Sequence, residues 1–172
     1  MRFLLVFVLL PFTISAQFNK NFVSKSDLYY TRLEYCGSGL FGFESNGKFG
    51  YMDINQTVVI PATLDLKLSS SQTMPSFTNG FAIVTSNGKS GLIDKTGKLV
   101  IPYEYSSLWL YSNQKNIVKA GKEVDSKLVY GVLNTQNKLI IPFEYTSISA
   151  DSNLFMVAKN SKYGVLDITI NN

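Results

Sequence analysis

The sequence predicts an all-β chain built from tandem, short antiparallel β-meanders, and three observations carry that reading. One pattern recurs: Gly91–Tyr105 reads G-L-I-D-K-T-G-K-L-V-I-P-Y-E-Y, Gly131–Tyr145 reads G-V-L-N-T-Q-N-K-L-I-I-P-F-E-Y, and Gly50–Leu64 reads G-Y-M-D-I-N-Q-T-V-V-I-P-A-T-L. Gly164–Asp167 opens a fourth copy with G-V-L-D. The leading glycines stand 41, 40 and 33 residues apart, and a fixed internal spacing on a period near 40 marks a repeat array. Next, Asn46-Gly47 and Asn87-Gly88 fall at matched positions between β-rich runs. Asn-Gly tolerates positive φ at both central positions of a type I′ turn, so each pair signals a hairpin. Lastly, no run after residue 17 keeps a helical period, whereas several alternate apolar and polar in the strand manner.

The order of elements follows from these signals. Met1-Arg2 supply a small positive charge, Phe3–Phe12 is almost wholly apolar, and Ile14-Ser15-Ala16 suits signal cleavage. Residues 1–16 therefore read as an export leader, too short to span a bilayer, which takes about 20 apolar residues. No comparable run follows, so no membrane insertion is expected after cleavage. The expected compartment is the periplasm, the outer-membrane surface or the medium. Residues 17–38 read as an N-terminal cap or a degenerate repeat, with Leu28–Tyr35 as a strand rich in β-formers. Repeats need capping, because an unpaired edge and half a core would otherwise face water.

Residues 39–172 hold about three and a half repeats. Each opens with a strand, turns at Asn-Gly or its equivalent, and continues through the pattern glycine. Asp94–Gly97 then reads as a tight turn, with Asp able to accept backbone N–H bonds and Gly able to adopt left-handed φ. Asn134 and Asn137 match it, and Asp53 with Gln56 match it less well. Strands Val58–Ile60, Leu99–Ile101 and Leu139–Ile141 each lead to a proline, Pro61, Pro102 or Pro142, expected at a strand end or an edge. The third repeat has four residues more between its hairpin start and its glycine, and these are expected as a polar loop in Gly121–Lys127. Gly91 and Gly131 should occupy equivalent backbone positions where a side chain is costly, by positive φ or by close approach to a neighbouring strand, and Gly50 and Gly164 hold the same place in the motif. The repeats can stack as an open, twisted or solenoid-like array, the favoured arrangement, or close like a small propeller or barrel.

Composition narrows the chemistry. The 172-residue chain has 16 Lys and Arg against 12 Asp and Glu, a net charge of +4, with the basic residues scattered. Nucleic-acid binding favours a basic stripe, and none is present. There is no histidine, which excludes Ser-His-Asp and Cys-His catalysis and every His-ligated metal. The single cysteine, Cys36, cannot form an intrachain disulfide and reads as a small buried apolar residue.

The residues resemble the WG (KWG) repeat family of bacterial proteins. Lys48-Phe49-Gly50 and Lys162-Tyr163-Gly164 match its start, followed by Gly-apolar-apolar-Asp, a tight turn, Lys-apolar-apolar-Ile-Pro and a Tyr-containing tail. Lys89-Ser90-Gly91 departs by its serine, Val129-Tyr130-Gly131 lacks the lysine, and no copy has tryptophan before the glycine. The resemblance implies an exported binding or structural module with no shared catalytic residues, hence no enzyme and no cofactor.

Each candidate site residue also has a plainer role. Glu104 and Glu144 share a repeat position and could pair as acid and base in an envelope hydrolase. Repeat one has Thr63 there, so a solvent-facing glutamate per unit is the favoured account. The Asp and Asn residues of the turns stand alone, without the further ligands that a calcium loop needs. Aromatic residues at matched positions can be core, or a platform for sugar rings or peptides. Tyr105 and Tyr145, with Trp109 as a possible extension and Glu104 and Glu144 beside them, are the candidate binding set. The expected partner is an unspecified protein or glycan. A secreted toxin- or immunity-type partner protein is the other reading.

Overall fold

Short alternating runs closed by two-residue turns make strands the one kind of regular element among the described residues. The computed structural model describes residues 30–66, 68, 71–151 and 153–168, and these contain no helix. The chain divides into Met1–Tyr30 and Thr31–Asn172, and the account below concerns the second unit. The leader at 1–16, residues 17–29 of the cap, and Leu28 and Tyr29 of its strand lie outside the described residues.

Four antiparallel sheets follow one another. The first holds β1 (Arg32–Tyr35), β2 (Phe41–Ser45), β3 (Lys48–Met52) and β4 (Val58–Leu64), in that order. The second holds β5 (Phe81–Ser86), β6 (Lys89–Asp94) and β7 (Leu99–Tyr105). The third holds β8 (Ser107–Leu110), β9 (Ile117–Val124), β10 (Lys127–Asn134) and β11 (Leu139–Tyr145). The fourth holds β12 (Ser147–Asp151), β13 (Leu154–Lys159) and β14 (Lys162–Asp167). Each is a meander, and no closed barrel forms. The tail of one repeat runs directly into the first strand of the next sheet, β7 into β8 and β11 into β12.

The hairpin turns repeat in every sheet. Asn46 and Gly47 have φ of 53° and 70°, and Asn87 and Gly88 have 50° and 73°, the left-handed pair of a type I′ turn. Asp125-Ser126 (49° and 60°) and Asn160-Ser161 (51° and 60°) make the same turn without glycine. The polar loop expected at Gly121–Lys127 is therefore absent. Strands β9 and β10 pair without interruption from Lys127 opposite Val124 to Asn134 opposite Ile117, so the extra residues lengthen both strands.

The second turn is also uniform. Asp53 Oδ1 accepts from the backbone N–H of Asn55 and Thr57, at 2.9 and 2.8 Å. Asp94 Oδ1 accepts from Thr96 and Lys98, at 2.8 and 3.1 Å, and Asn134 Oδ1 from Gln136 and Lys138, at 3.0 and 2.8 Å. Gln56, Gly97 and Asn137 close these turns with φ of 63°, 84° and 61°. Gln56 takes the left-handed conformation like its glycine counterpart, because its N–H bonds Asp53 O and the Asp53 side chain fixes the rest.

The prolines do not end their strands, but β4, β7 and β11, which carry them, are outer strands of their sheets, the edge placement expected. In each of three sheets a step of two residues on the glycine strand faces a step of four on the next: Phe49 and Tyr51 face Leu64 and Ile60, Ser90 and Leu92 face Tyr105 and Ile101, Tyr130 and Val132 face Tyr145 and Ile141. Pro61, Pro102 and Pro142 sit inside these bulges, where the ladder needs no N–H from them.

Each core lies between two successive sheets. Phe49, Tyr51 and Ile60 meet Ala82, Val84 and Ile93 between the first and second. Leu92, Ile101 and Tyr105 meet Leu108, Val118, Ala120 and Leu133 between the second and third. Val132 and Ile141 meet Ile148, Phe155 and Val157 between the third and fourth. The residue after each pattern glycine thus faces forward, and the one after that faces back, Leu92 and Ile93 being the clearest pair.

Candidate functional site

The sequence-derived set divides on burial. Tyr105 is interior: it is 6% exposed, stacks on Phe143 at 5.7 Å and 21°, and donates its hydroxyl hydrogen to Asn137 Oδ1 at 3.1 Å. Burial, with a smaller contribution from the Glu104 charge, raises its phenol pKa. The bulge at Pro102 turns it into the core with Leu92 and Ile101, so it serves the interface between sheets rather than a ligand. Tyr145 is half-buried against the core between the third and fourth sheets. Trp109 is 41% exposed. The three rings therefore form no common exposed platform, and Tyr105 is corrected to core.

Glu104 and Glu144 are both exposed, on β7 and β11 of different sheets. Glu144 pairs with Lys159 Nζ at 2.8 Å, and the hydrogen bond from Lys159 holds its carboxyl below the usual range. Among the described residues no three His, Cys, Asp or Glu side chains converge as a metal site. Cys36 is buried, its Sγ 3.4 Å from Glu34 O, and burial raises its thiol pKa.

Trp109 has neighbours that the sequence left unassigned. On β8 it stands opposite Lys119 of β9. Lys119 Nζ lies 4.5 Å from the indole centroid and 5.0 Å from the Tyr130 ring, and donates to Ile148 O at 3.0 Å. Trp109 and Tyr130 meet edge to face at 5.8 Å and 62°. Partial burial lowers the Lys119 pKa, while the two ring faces favour its charge. Trp109 also lines an open cleft of about 430 Å³, with Thr73, Met74, Ser76, Thr78 and Ile83 among its other walls. The signal that could have found Lys119 is the β8–β9 register, which the alternation Tyr105, Ser107, Trp109 suggests only once β8 is assigned to the third sheet.

A series of four meanders, three of them with a glycine crossed by the strand that carries Ile-Pro, defines a tandem β-repeat protein. The WG containing repeat model matches residues 49–89, 91–122 and 130–163, and the chain belongs to that family. No curated protein matches the chain. One solved chain, described as the crystal structure of the eukaryotic initiation factor, aligns at 11% identity with a TM-score of 0.39. That alignment covers 70% of this chain and 37% of the other, so this chain spans little more than a third of that length.

Proposed function

We propose that the chain is a non-catalytic binding or scaffold module that takes an extended protein segment or glycan in the cleft beside Trp109. The observation that carries this reading is an indole the repeat does not require. Ser107-Leu108-Trp109-Leu110 aligns with Ser147-Ile148-Ser149-Ala150, and serine fills the Trp109 position in the fourth sheet. The fold is served by a small polar residue there, yet a large ring stands 41% exposed. A partly exposed indole, steadied by Lys119 and Tyr130 and bordering a cleft of mixed apolar and hydroxyl-bearing residues, has the composition of a contact hot spot. Export is part of the same proposal, supported by the charged start, apolar run and small-residue cleavage site of residues 1–16. N-terminal sequencing of protein recovered outside the cytoplasm should then begin at Gln17.

The test is a glycan and peptide array followed by titration of the captured ligand. Trp109→Ala should weaken binding by about 2 kcal/mol, the size of a hot-spot truncation, with the melting temperature almost unchanged. Undiminished affinity in Trp109→Ala would overturn the assignment of the cleft.

A further inference from the structure

The fourth sheet carries the forward face of the repeat and the strand edge that goes with it, and among the described residues neither is covered. Tyr51, Leu92 and Val132, each following a pattern glycine, are 0% exposed; Val165 at the same place is 62% exposed. Tyr163 is 90% exposed, where Phe49 is 4% and Ser90 8%. Met156, 54% exposed, adds to the face, which forms a cleft of about 390 Å³ with Ser147 and Ser149. β14 is the outer strand of its sheet.

The chain itself shows three times what covers this position. The strand beside β3, β6 and β10 places the carbonyl of its isoleucine over the glycine. A Cβ built on Gly50 would lie 2.6 Å from Ile60 O, on Gly91 2.9 Å from Ile101 O, and on Gly131 2.8 Å from Ile141 O. At Gly164 the nearest neighbour is Val157 Cγ2 at 3.7 Å, and no carbonyl approaches. The isoleucine of each covering strand stands opposite the residue after the glycine, and the residue four places on stands opposite the one before it.

We infer that β14 is a strand-addition site for an extended peptide of the form apolar-apolar-Ile-Pro-x-x-Tyr or Leu. The isoleucine of the peptide pairs with Val165, its carbonyl rests on Gly164, and its Tyr or Leu covers Tyr163. Main-chain hydrogen bonds to an open edge supply affinity, and alternate side chains supply selectivity. The pairing is equivalent to the one already made three times within this fold, by β4 on β3, β7 on β6 and β11 on β10. The site is separate from the Trp109 cleft.

The test uses the full chain and a fluorescent peptide with the sequence of Lys138–Thr146, K-L-I-I-P-F-E-Y-T. Saturable binding is expected, with slowed amide exchange across Lys162–Asp167. Gly164→Ala, whose Cβ meets only ordinary contacts in the free protein, should weaken binding about tenfold or more, since it crowds the incoming carbonyl. Ile141→Asp in the peptide should do the same without touching the protein. Trp109→Ala should leave this binding unchanged, which separates the two sites. The inference is overturned if no saturable binding occurs, or if neither substitution weakens it. It is equally overturned if sedimentation shows association of the chain with itself that Gly164→Ala abolishes, which would assign the edge to a second copy.

Discussion

Gly91 illustrates how one residue type meets two different demands in the same repeat. Its φ is not left-handed, so backbone freedom is not its role. A Cβ there would lie 2.9 Å from Ile101 O and 3.1 Å from both Leu99 Cδ1 and Tyr103 Cδ1. Space is the constraint, and it arises because the bulge at Pro102 folds the next strand across the glycine. Gly131 is crowded likewise by Ile141 O and the Phe143 ring at 3.0 Å. Gly164 holds the same place in the motif, but among the described residues no strand lies over it. Gly91→Val should therefore destabilise the protein by roughly 2–4 kcal/mol, the range for backbone or packing strain, and Gly164→Val by less than about 0.5 kcal/mol. Thermal melts of the two variants decide this, and equal shifts would refute the crowding account. The equivalence of the glycines was legible in the sequence; the difference between them was not, because it depends on whether another strand crosses the same spot.

At the scale of elements, turns were the most legible part and strand length the least. Asn-Gly announced two hairpins correctly, while Asp125-Ser126 and Asn160-Ser161 make the same turn without announcing it. Missing the Asp125-Ser126 turn led to a loop being expected where β9 and β10 run on as strands. The physical reason is that Asp and Ser reach left-handed φ only at some cost, so pairing along the flanking strands holds the turn that Asn-Gly would favour by itself. It follows that replacing Asp125-Ser126 by Asn-Gly should stabilise the chain by about 0.5–1 kcal/mol, a typical gain for an improved turn. The denaturant midpoint measures it, and a lower midpoint would contradict the assignment of type I′ geometry here. The prolines follow a similar lesson. Each was legible as a place without a ladder hydrogen bond, but the bulge of four residues against two appears only when Ile60, Ile101 and Ile141 are seen opposite Tyr51, Leu92 and Val132. The same bulge places Tyr105 inside, which is why an aromatic read as a binding candidate proves to be core.

For the unit as a whole, the repeat array was legible and the layering was not. Consecutive apolar residues such as Leu92 and Ile93 give no clue that they serve different cores, because period-two alternation normally sends one of them to solvent. Both are buried since the second sheet has a neighbour on each face. Three cores joining four successive sheets imply a stability that is local in part, as in nearest-neighbour arrays. Among the described residues the fourth sheet is held by one core, through Ile148, Phe155 and Val157 against Val132 and Ile141. It can open by separating that interface while the first three sheets remain packed. Ile148→Ala removes buried methyl groups from it and should cost about 2–4 kcal/mol, accelerating amide exchange in β13 on the order of a hundredfold. Ile93→Ala removes a similar volume from the core between the first two sheets, and should accelerate exchange in β5 and β6. It should leave β13 almost unchanged, because the opening that exposes β13 never passes through that core. Native-state hydrogen exchange on the two variants reads both effects at once. If Ile93→Ala speeds β13 as much as it speeds β6, the sheets unfold as one cooperative body and the layered account of stability fails.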